Sequence, residues 1–353
     1  MNIDVFKAKA DNNFKANLSR DLHFIKGIAI LLVVIGHVIG SNKNVGMRQM
    51  YKSDIFGLTW LADFIYTFHM PLFFIASGVA FTVFSNSDIS YLEFARSKFK
   101  RLFIPLICWA PPFFFFQSFT RRKSFDFFNV VNAVIHPYAI FWFIHSLIFA
   151  TFFAFICFKL FKSQLIYILL SLLILFLSFY LKEFIIYWNI FYAFGVSIAL
   201  YLPSIRSILQ KLKTSKILLT LLSCVISMLL VNCFSHASYS AFIEIINGVI
   251  SMLLLYIIAV TFQTKFQIKW LIKALQSAKN IFLYLGKISM VTYLFHIYFC
   301  TSVRIVLVKV FGITQPSIHF VLGFTAATVG PIIFYNFLRT RSKIFRYSIG
   351  EFK

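Results

Sequence analysis

"RDLHFIKGIAILLVVIGHV" (residues 20–38) is the stretch on which the reading of this chain turns. From Phe24 onward it is almost wholly apolar, and the run is about as long as a helix needs to cross the roughly 30 Å hydrocarbon core of a bilayer. Two ionisable residues nevertheless stand in it, Lys26 near the start and His37 near the end. On a helix, eleven residues at about 100° each make three turns plus about 20°, so the two side chains share one face, about 16 Å apart along the axis. Lys26 has two readings: an anchor that snorkels to the membrane surface, or a cation offered to an anionic ligand. His37 lies deep, where an ionisable group is costly and usually faces a cavity or a partner.

The same apolar signal recurs along the chain. Of 353 residues, 60% are hydrophobic and only 13% charged, against about a quarter in soluble domains, and the mean hydropathy is +0.84. Apolar runs at 24–41, 64–84, 101–120, 139–158, 165–181, 184–202, 217–234, 242–262, 281–300 and 317–338 each predict a span. The expected fold is therefore all-α, a polytopic transmembrane helix bundle of about ten spans. Residues 1–23 are expected as a cytoplasmic tail, 24–338 as the membrane domain and 339–353 as a basic cytoplasmic tail. With the first residues placed inside, about 25 of the 34 Lys and Arg residues fall on inside segments and about nine outside, which predicts cytoplasmic termini at both ends. This distribution accounts for the net charge of +23, which on a soluble protein would suggest a nucleic-acid partner. The "RRK" at 121–123 is the one outside cluster that fits poorly, marking either a displaced span or a partner-binding loop. The first residues carry no cleavable signal pattern, so the first span is expected to stay as a signal anchor.

Cys108, Cys157, Cys224, Cys233 and Cys300 are scattered through apolar runs with no metal-ligand spacing, so neither a disulfide framework nor a metal site is expected. Segments 43–63 and 124–138 are moderately apolar and interrupted by charge, which reads as interfacial helices around an outer vestibule. Pro71, Pro105, Pro111 and Pro112 fall inside spans, where they free backbone carbonyls and kink the helix.

His37, His69, His145 and His296 all lie within spans, and Glu244 sits at the edge of the eighth. Each histidine alone reads as a hydrogen-bonded residue between helices, whereas four in one bundle with few carboxylates point to a shared polar site. Around them stand five recognisable stretches. Besides 20–38 they are "FHMPLFFIASGVAF" (68–81), with the small pair Ser77 and Gly78, and "EFARSKFKRLFIPLICW" (93–109), with Arg96, Lys98, Lys100 and Arg101. The others are "YAIFWFIHSL" (138–147), with Trp142 and His145, and "LGKISMVTYLFHIY" (285–298), with Tyr293 and His296. The cluster at 96–101 is either a topology signal or a phosphate clamp.

Together these stretches resemble the acyltransferase 3 family of integral-membrane acyltransferases, closest in flavour to fucose 4-O-acetylase and related sugar O-acetyltransferases. The likeness covers nearly the whole chain, from Arg20 to the last span. The family signature places a basic residue eleven positions before a histidine, matched here by Lys26 and His37, with lysine where arginine is common. The family's paired basic motif is best matched by Lys98 and Arg101. His23 departs from the related branch, which commonly shows an aspartate there. The chain resembles the stand-alone type rather than members with a fused extracytoplasmic domain.

The resemblance implies an acyl-CoA donor, most often acetyl-CoA, supplied from the cytoplasm, and a hydroxyl acceptor on a cell-envelope saccharide or lipid-linked saccharide. The expected enzyme is thus an O-acetyltransferase of the inner (plasma) membrane, multi-pass, needing no metal. Its partners would be acetyl-CoA, the acceptor and the bilayer, with further copies of the chain left open and nucleic acid excluded. Arg96, Lys98, Lys100 and Arg101 would hold the CoA phosphates, with Ser77 along the donor's path. His37 would act with Lys26, either as a general base or as an acyl carrier, and His69 and His296 are the competing bases. Trp142, His145 and Tyr293 would meet the acceptor. Ser77, Tyr293 and His296 are candidate oxyanion donors. The rival expectations are a proton-coupled transporter or flippase of a sugar or lipid-linked sugar, and an O-acyltransferase using another group such as succinyl. The absence of an internal repeat and the scarcity of intramembrane carboxylates weigh against transport.

Overall fold

A computed structural model describes residues 12–51, 57–85, 89–121, 126–233, 241–261 and 269–352. Every regular element among them is a helix. The chain opens with α1 (Asn12–Ile39), whose 28 residues continue without a break through both Lys26 and His37. Residues 12–23 are therefore helical and continuous with the first span. Past a 3-10 turn at Gly46–Gln49 come α2 (Leu58–Tyr66) and α3 (His69–Phe84), which form the second span. Next come α4 (Tyr91–Lys98) and α5 (Ile104–Arg121), then α6 (Phe127–Ile135) and α7 (Trp142–Phe161). α8 (Gln164–Leu181) follows, then α9 (Phe184–Tyr187), α10 (Asn189–Ala199) and α11 (Leu202–Lys211), with α11 bent 60° from the helix before it. The remaining helices are α12 (Thr214–Cys233), α13 (Ala241–Thr261), α14 (Lys269–Lys287), α15 (Ser289–Lys309), α16 (Pro316–Arg341) and the short α17 (Lys343–Ser348). Among the described residues nine helices are long and apolar enough to cross a membrane, or ten if the bent α9–α11 unit is one span. This is a multi-pass membrane protein with the expected all-α bundle.

One expected span moves. The run at 281–300 is not a single helix, because α14 ends at Lys287 and α15 restarts at Ser289, carrying the ninth span on to Lys309. Apolar content alone spans this break. α14 carries Lys279 and Lys287 and does not qualify as a crossing helix; it lies antiparallel along α1 instead. Gly27 and Gly286 make that pairing tight. A Cβ on Gly27 would lie 1.9 Å from the Phe282 carbonyl oxygen, and one on Gly286 would lie 1.7 Å from that of His23. The two backbones touch, which only glycine permits. Around this pair sits a charged latch. Asp21 of α1 takes a 2.5 Å ion pair from Arg206 of α11, and the buried Lys279 Nζ of α14 donates to the Ala259 carbonyl of α13 at 3.4 Å.

α3 lies at the centre. The α2–α3 span has 83% of its apolar window buried, whereas α12 has 11% and α8 17%, so the latter two are lipid-facing flanks. The prolines act differently from one another. Pro71 falls in the first turn of α3, where no helical donor is lost. Pro105 cannot donate to the carbonyl four residues back, and just before it the helix widens into a π-turn (Phe99–Phe103), with the Ile104 N–H bonding Phe99. The cluster at 121–123, expected as a displaced span or a partner loop, lies outside the described side chains.

Candidate active site

Two cavities share no lining residue. One, of 290 Å³, gathers His37, Ser41, Tyr66, His69, Met70, Trp142, Phe184, Trp188, Glu244 and Tyr293. Five of the spans contribute to its polar core. α1 supplies His37, and the α2–α3 break at Thr67–Phe68 turns Tyr66 and His69 to the same side. α15 brings Tyr293 and His296, α7 brings Trp142, and α13 brings Glu244.

Three imidazoles meet here. The His37 and His296 rings are 5.0 Å apart between centroids. The Tyr66 ring is 6.1 Å from His37 and 4.8 Å from His69, and the Tyr66 hydroxyl lies 3.5 Å from His37 Nδ1. Backbone contacts set two tautomers. His69 Nδ1 is 2.7 Å from the Ile65 carbonyl, and His296 Nδ1 is 2.7 Å from that of Tyr293. A carbonyl only accepts, so both rings carry hydrogen on Nδ1, and their Nε2 atoms are the free lone pairs in the neutral form. His296 Nε2 is buried with no hydrogen-bond partner among the described residues. His37 differs from both, since no backbone carbonyl among the described residues holds its ring and the polar group within hydrogen-bond reach is the Tyr66 hydroxyl. It is half-buried and borders the cavity, which is what a proton acceptor for an incoming hydroxyl requires.

The expected site residues thus divide. His37, His69, Tyr293 and Trp142 line this cavity, and His296 packs directly against His37. Tyr293 donates its hydroxyl to the Ile140 carbonyl, so it braces α15 against the turn before α7 instead of offering a free donor. His145 stands apart. Its Nδ1 is 3.0 Å from the Phe141 carbonyl and its Nε2 is 3.0 Å from that of Val134, so the ring pins α6 to α7. Ser77 lines neither cavity. Its neighbour Gly78 accounts for the small pair: a Cβ there would lie 2.1 Å from the Tyr192 carbonyl oxygen, so the pair serves the close packing of α10 on α3.

The second cavity, of 660 Å³, sits where α4 runs into α5 and is walled by the end of α16 and the segment after α17. It presents Arg96, Lys100, Arg101 and Arg339 with Glu93 and Glu351. Four cations against two carboxylates leave a net charge of +2, and the carboxylates are already engaged. Glu93 bonds Ser90 in a capping box at the start of α4, and Glu351 takes the 3.1 Å ion pair from Arg339 and a hydroxyl bond from Tyr335. Among the described residues no carboxylate pairs with Arg96, Lys100 or Arg101. Lys98 lies off this cavity, its ammonium 5.0 Å from the Phe94 ring centre and within reach of the Lys26 charge. Lys26 is half-buried and lines neither cavity; it stands on the same face of α1 as His37. The volume falls within the roughly 300–1,000 Å³ of small-molecule sites.

Residues without an assigned role in the sequence complete both sites. Glu244 was visible as one of the few carboxylates near a span, and that rarity was the available signal. Tyr66, Tyr187, Trp188 and Arg339 had none, since aromatic residues and terminal cations abound in this chain.

The acyltransferase 3 family model, described as an acyltransferase domain, matches residues 19–336. A curated relative, the nodulation protein NolL of Sinorhizobium fredii (strain NBRC 101917 / NGR234), is 36% identical over 90 residues, which is 24% of this chain and 22% of that protein. The match therefore spans about a fifth of that relative. No solved structure matches the chain.

Proposed function

The chain belongs to the acyltransferase 3 family, and on that premise we propose that it moves an acetyl group from acetyl-CoA to a hydroxyl of a cell-envelope saccharide. The observation that carries this reading is the pairing of two unlike cavities on one straight helix. α1 carries His37 at the histidine cavity and, about 16 Å back along the same face, Lys26, whose charge reaches Lys98 of the basic segment that borders the other cavity, suited to the phosphates of CoA. Arg96, Lys100, Arg101 and Arg339 hold the nucleotide end, with planar guanidinium forks matched to phosphate. Lys98 and Lys26 carry the cationic path inward, and the pantetheine arm follows the α1 face to His37. The basic end faces the cytoplasm, where acetyl-CoA is made, and the membrane is the inner (plasma) membrane.

The chemistry follows from the histidine cavity. The acceptor hydroxyl gives its proton to the His37 imidazole as its oxygen attacks the thioester carbonyl. The tetrahedral intermediate collapses, the C–S bond breaks, and the departing thiolate recovers the proton from the imidazolium. Atoms and charge balance with no metal. Tyr66 orients His37, while His69 and His296, held as Nδ1–H tautomers, keep the surroundings polar without competing for the same carbonyl contacts. A succinyl donor is disfavoured, because its distal carboxylate would enter the cavity that already holds Glu244.

Membranes carrying the protein, supplied with acetyl-labelled acetyl-CoA, should label envelope saccharide. His37→Gln, which hydrogen-bonds but takes no proton, should lower that transfer by about 10²–10⁴-fold while leaving acetyl-CoA bound. Label appearing covalently on the protein before acceptor is added would replace direct transfer by an acyl-imidazole route. Near-normal transfer by His37→Gln would overturn the assignment of the base.

A further inference from the structure

One side of the histidine cavity is unlike the rest. Trp142, Phe184 and Trp188 form an aromatic wall, with the Trp142 ring 4.9 Å from both Phe184 and Trp188 between centroids. Phe74 stacks behind Trp188 at 5.4 Å and 19°, which fixes the wall's plane. Glu244 lines the same cavity, and its Oε2 accepts the hydroxyl of Tyr187, whose ring packs on Trp188, at 2.7 Å. Among the described residues that is its one hydrogen bond. A carboxylate has about four acceptor sites, so the group keeps capacity for further donors. The transfer chemistry above uses neither the wall nor this carboxylate.

We infer that the aromatic wall and Glu244 form the acceptor subsite and select a single neutral pyranose unit. The inference rests on the reading of this cavity as the place of transfer. A pyranose has one apolar C–H face and a rim of hydroxyls. The C–H face packs on the Trp142–Trp188 wall, and the rim hydroxyls donate to the carboxylate, in charge-assisted bonds stronger than neutral ones. Tyr187 holds the carboxylate in place so that little side-chain freedom is lost when the sugar binds. The 290 Å³ volume, just below the roughly 300–1,000 Å³ of small-molecule sites, is the size for one ring. The sign of the charge sets the selectivity. An acidic sugar would bring a second carboxylate against Glu244 in a cavity walled by apolar rings, where like charges are poorly screened. Glu244 is thus a specificity-determining residue, turning away uronic acids while His37 does the chemistry.

The test is a direct binding measurement that does not depend on turnover. The purified full chain, in nanodiscs, is titrated with methyl glucoside and methyl galactoside and with the two corresponding uronates. Intrinsic tryptophan fluorescence reports occupancy at Trp142 and Trp188. The neutral glycosides should saturate, and each uronate should bind at least about tenfold more weakly. Glu244→Gln, an isostere that can still meet the Tyr187 hydroxyl, should bring the two classes within about threefold of one another. Trp142→Leu, read by saturation-transfer NMR, should weaken the neutral glycosides while leaving the discrimination in place. Equal binding of uronates and neutral glycosides by the wild-type chain would overturn the inference, as would discrimination that survives in Glu244→Gln or no saturable neutral binding at all. Failure of acetyl transfer with this binding pattern intact would fall on the proposed reaction and not on the subsite.

Discussion

Replacing Gly27 by alanine should disable the enzyme without touching a reacting group. The residue sits beside Lys26 where α1 meets the α14 backbone, and the Phe282 carbonyl oxygen lies 1.9 Å from where the new Cβ would stand. Real Cβ contacts do not fall below 3.0 Å, so the helices must separate by at least about 1.1 Å, the difference of the two distances. The obstacle is backbone on a neighbouring helix, which has no rotamer to move away. α1 is continuous, so the shift carries His37 relative to its partners on other helices, His296 at 5.0 Å and Tyr66 at 6.1 Å. A displacement of about 1 Å at a reacting centre costs on the order of 10²-fold in rate. Overpacking adds about 1–3 kcal/mol of destabilisation. Acetyl transfer in nanodiscs and a thermal unfolding scan measure the two effects. Gly323→Ala is the control, since its Cβ would lie 3.3 Å from Val38 Cγ1, the end of a side chain that can give. Its transfer rate and thermal midpoint should stay near those of the parent. Parental rate and thermal midpoint in Gly27→Ala would refute the backbone contact between α1 and α14.

Other expectations bear on the remaining parts. Arg101→Ala and Arg339→Ala should each weaken acetyl-CoA binding by about tenfold in calorimetric titration, the loss of one charge-assisted phosphate contact, while acceptor binding stays unchanged. Donor affinity equal to the parent in the double variant would reduce the basic cavity to a topology signal. Asp21→Ala leaves the part-buried Arg206 without its carboxylate and should cost about 3–5 kcal/mol, seen as a marked fall in the thermal midpoint. An unchanged midpoint would show that the latch contributes nothing. A reporter fused after Lys353 should be active only when it is one that works in the cytoplasm, the orientation that the positive-inside bias of Lys and Arg predicts; activity of an extracytoplasmic reporter would invert the bundle.

The membrane class, the approximate count of spans and the shared face of Lys26 and His37 were legible before any packing was known. All three depend on features local to one helix: apolar length against bilayer thickness, and a fixed rotation per residue. The same local logic placed Arg96, Lys100 and Arg101 together, since they stand within six positions of one another at one helix junction. It failed where the answer lay between helices. The run at 281–300 is apolar throughout most of its length, and nothing in that pattern separates a lipid-crossing helix from one that ends at Lys287 against α1. His145 has the depth of a site residue, but the α6–α7 turn wraps both its nitrogens in backbone carbonyls. Only the tertiary structure brought Glu244 to Tyr187 across 57 positions, Arg206 to Asp21 across 185, and Arg339 to the cluster beside α5. In lipid, core-facing and membrane-facing side chains are equally apolar, so composition cannot tell which face of a helix meets a partner. Packing decides that, and with it which of the scattered polar residues share a cavity.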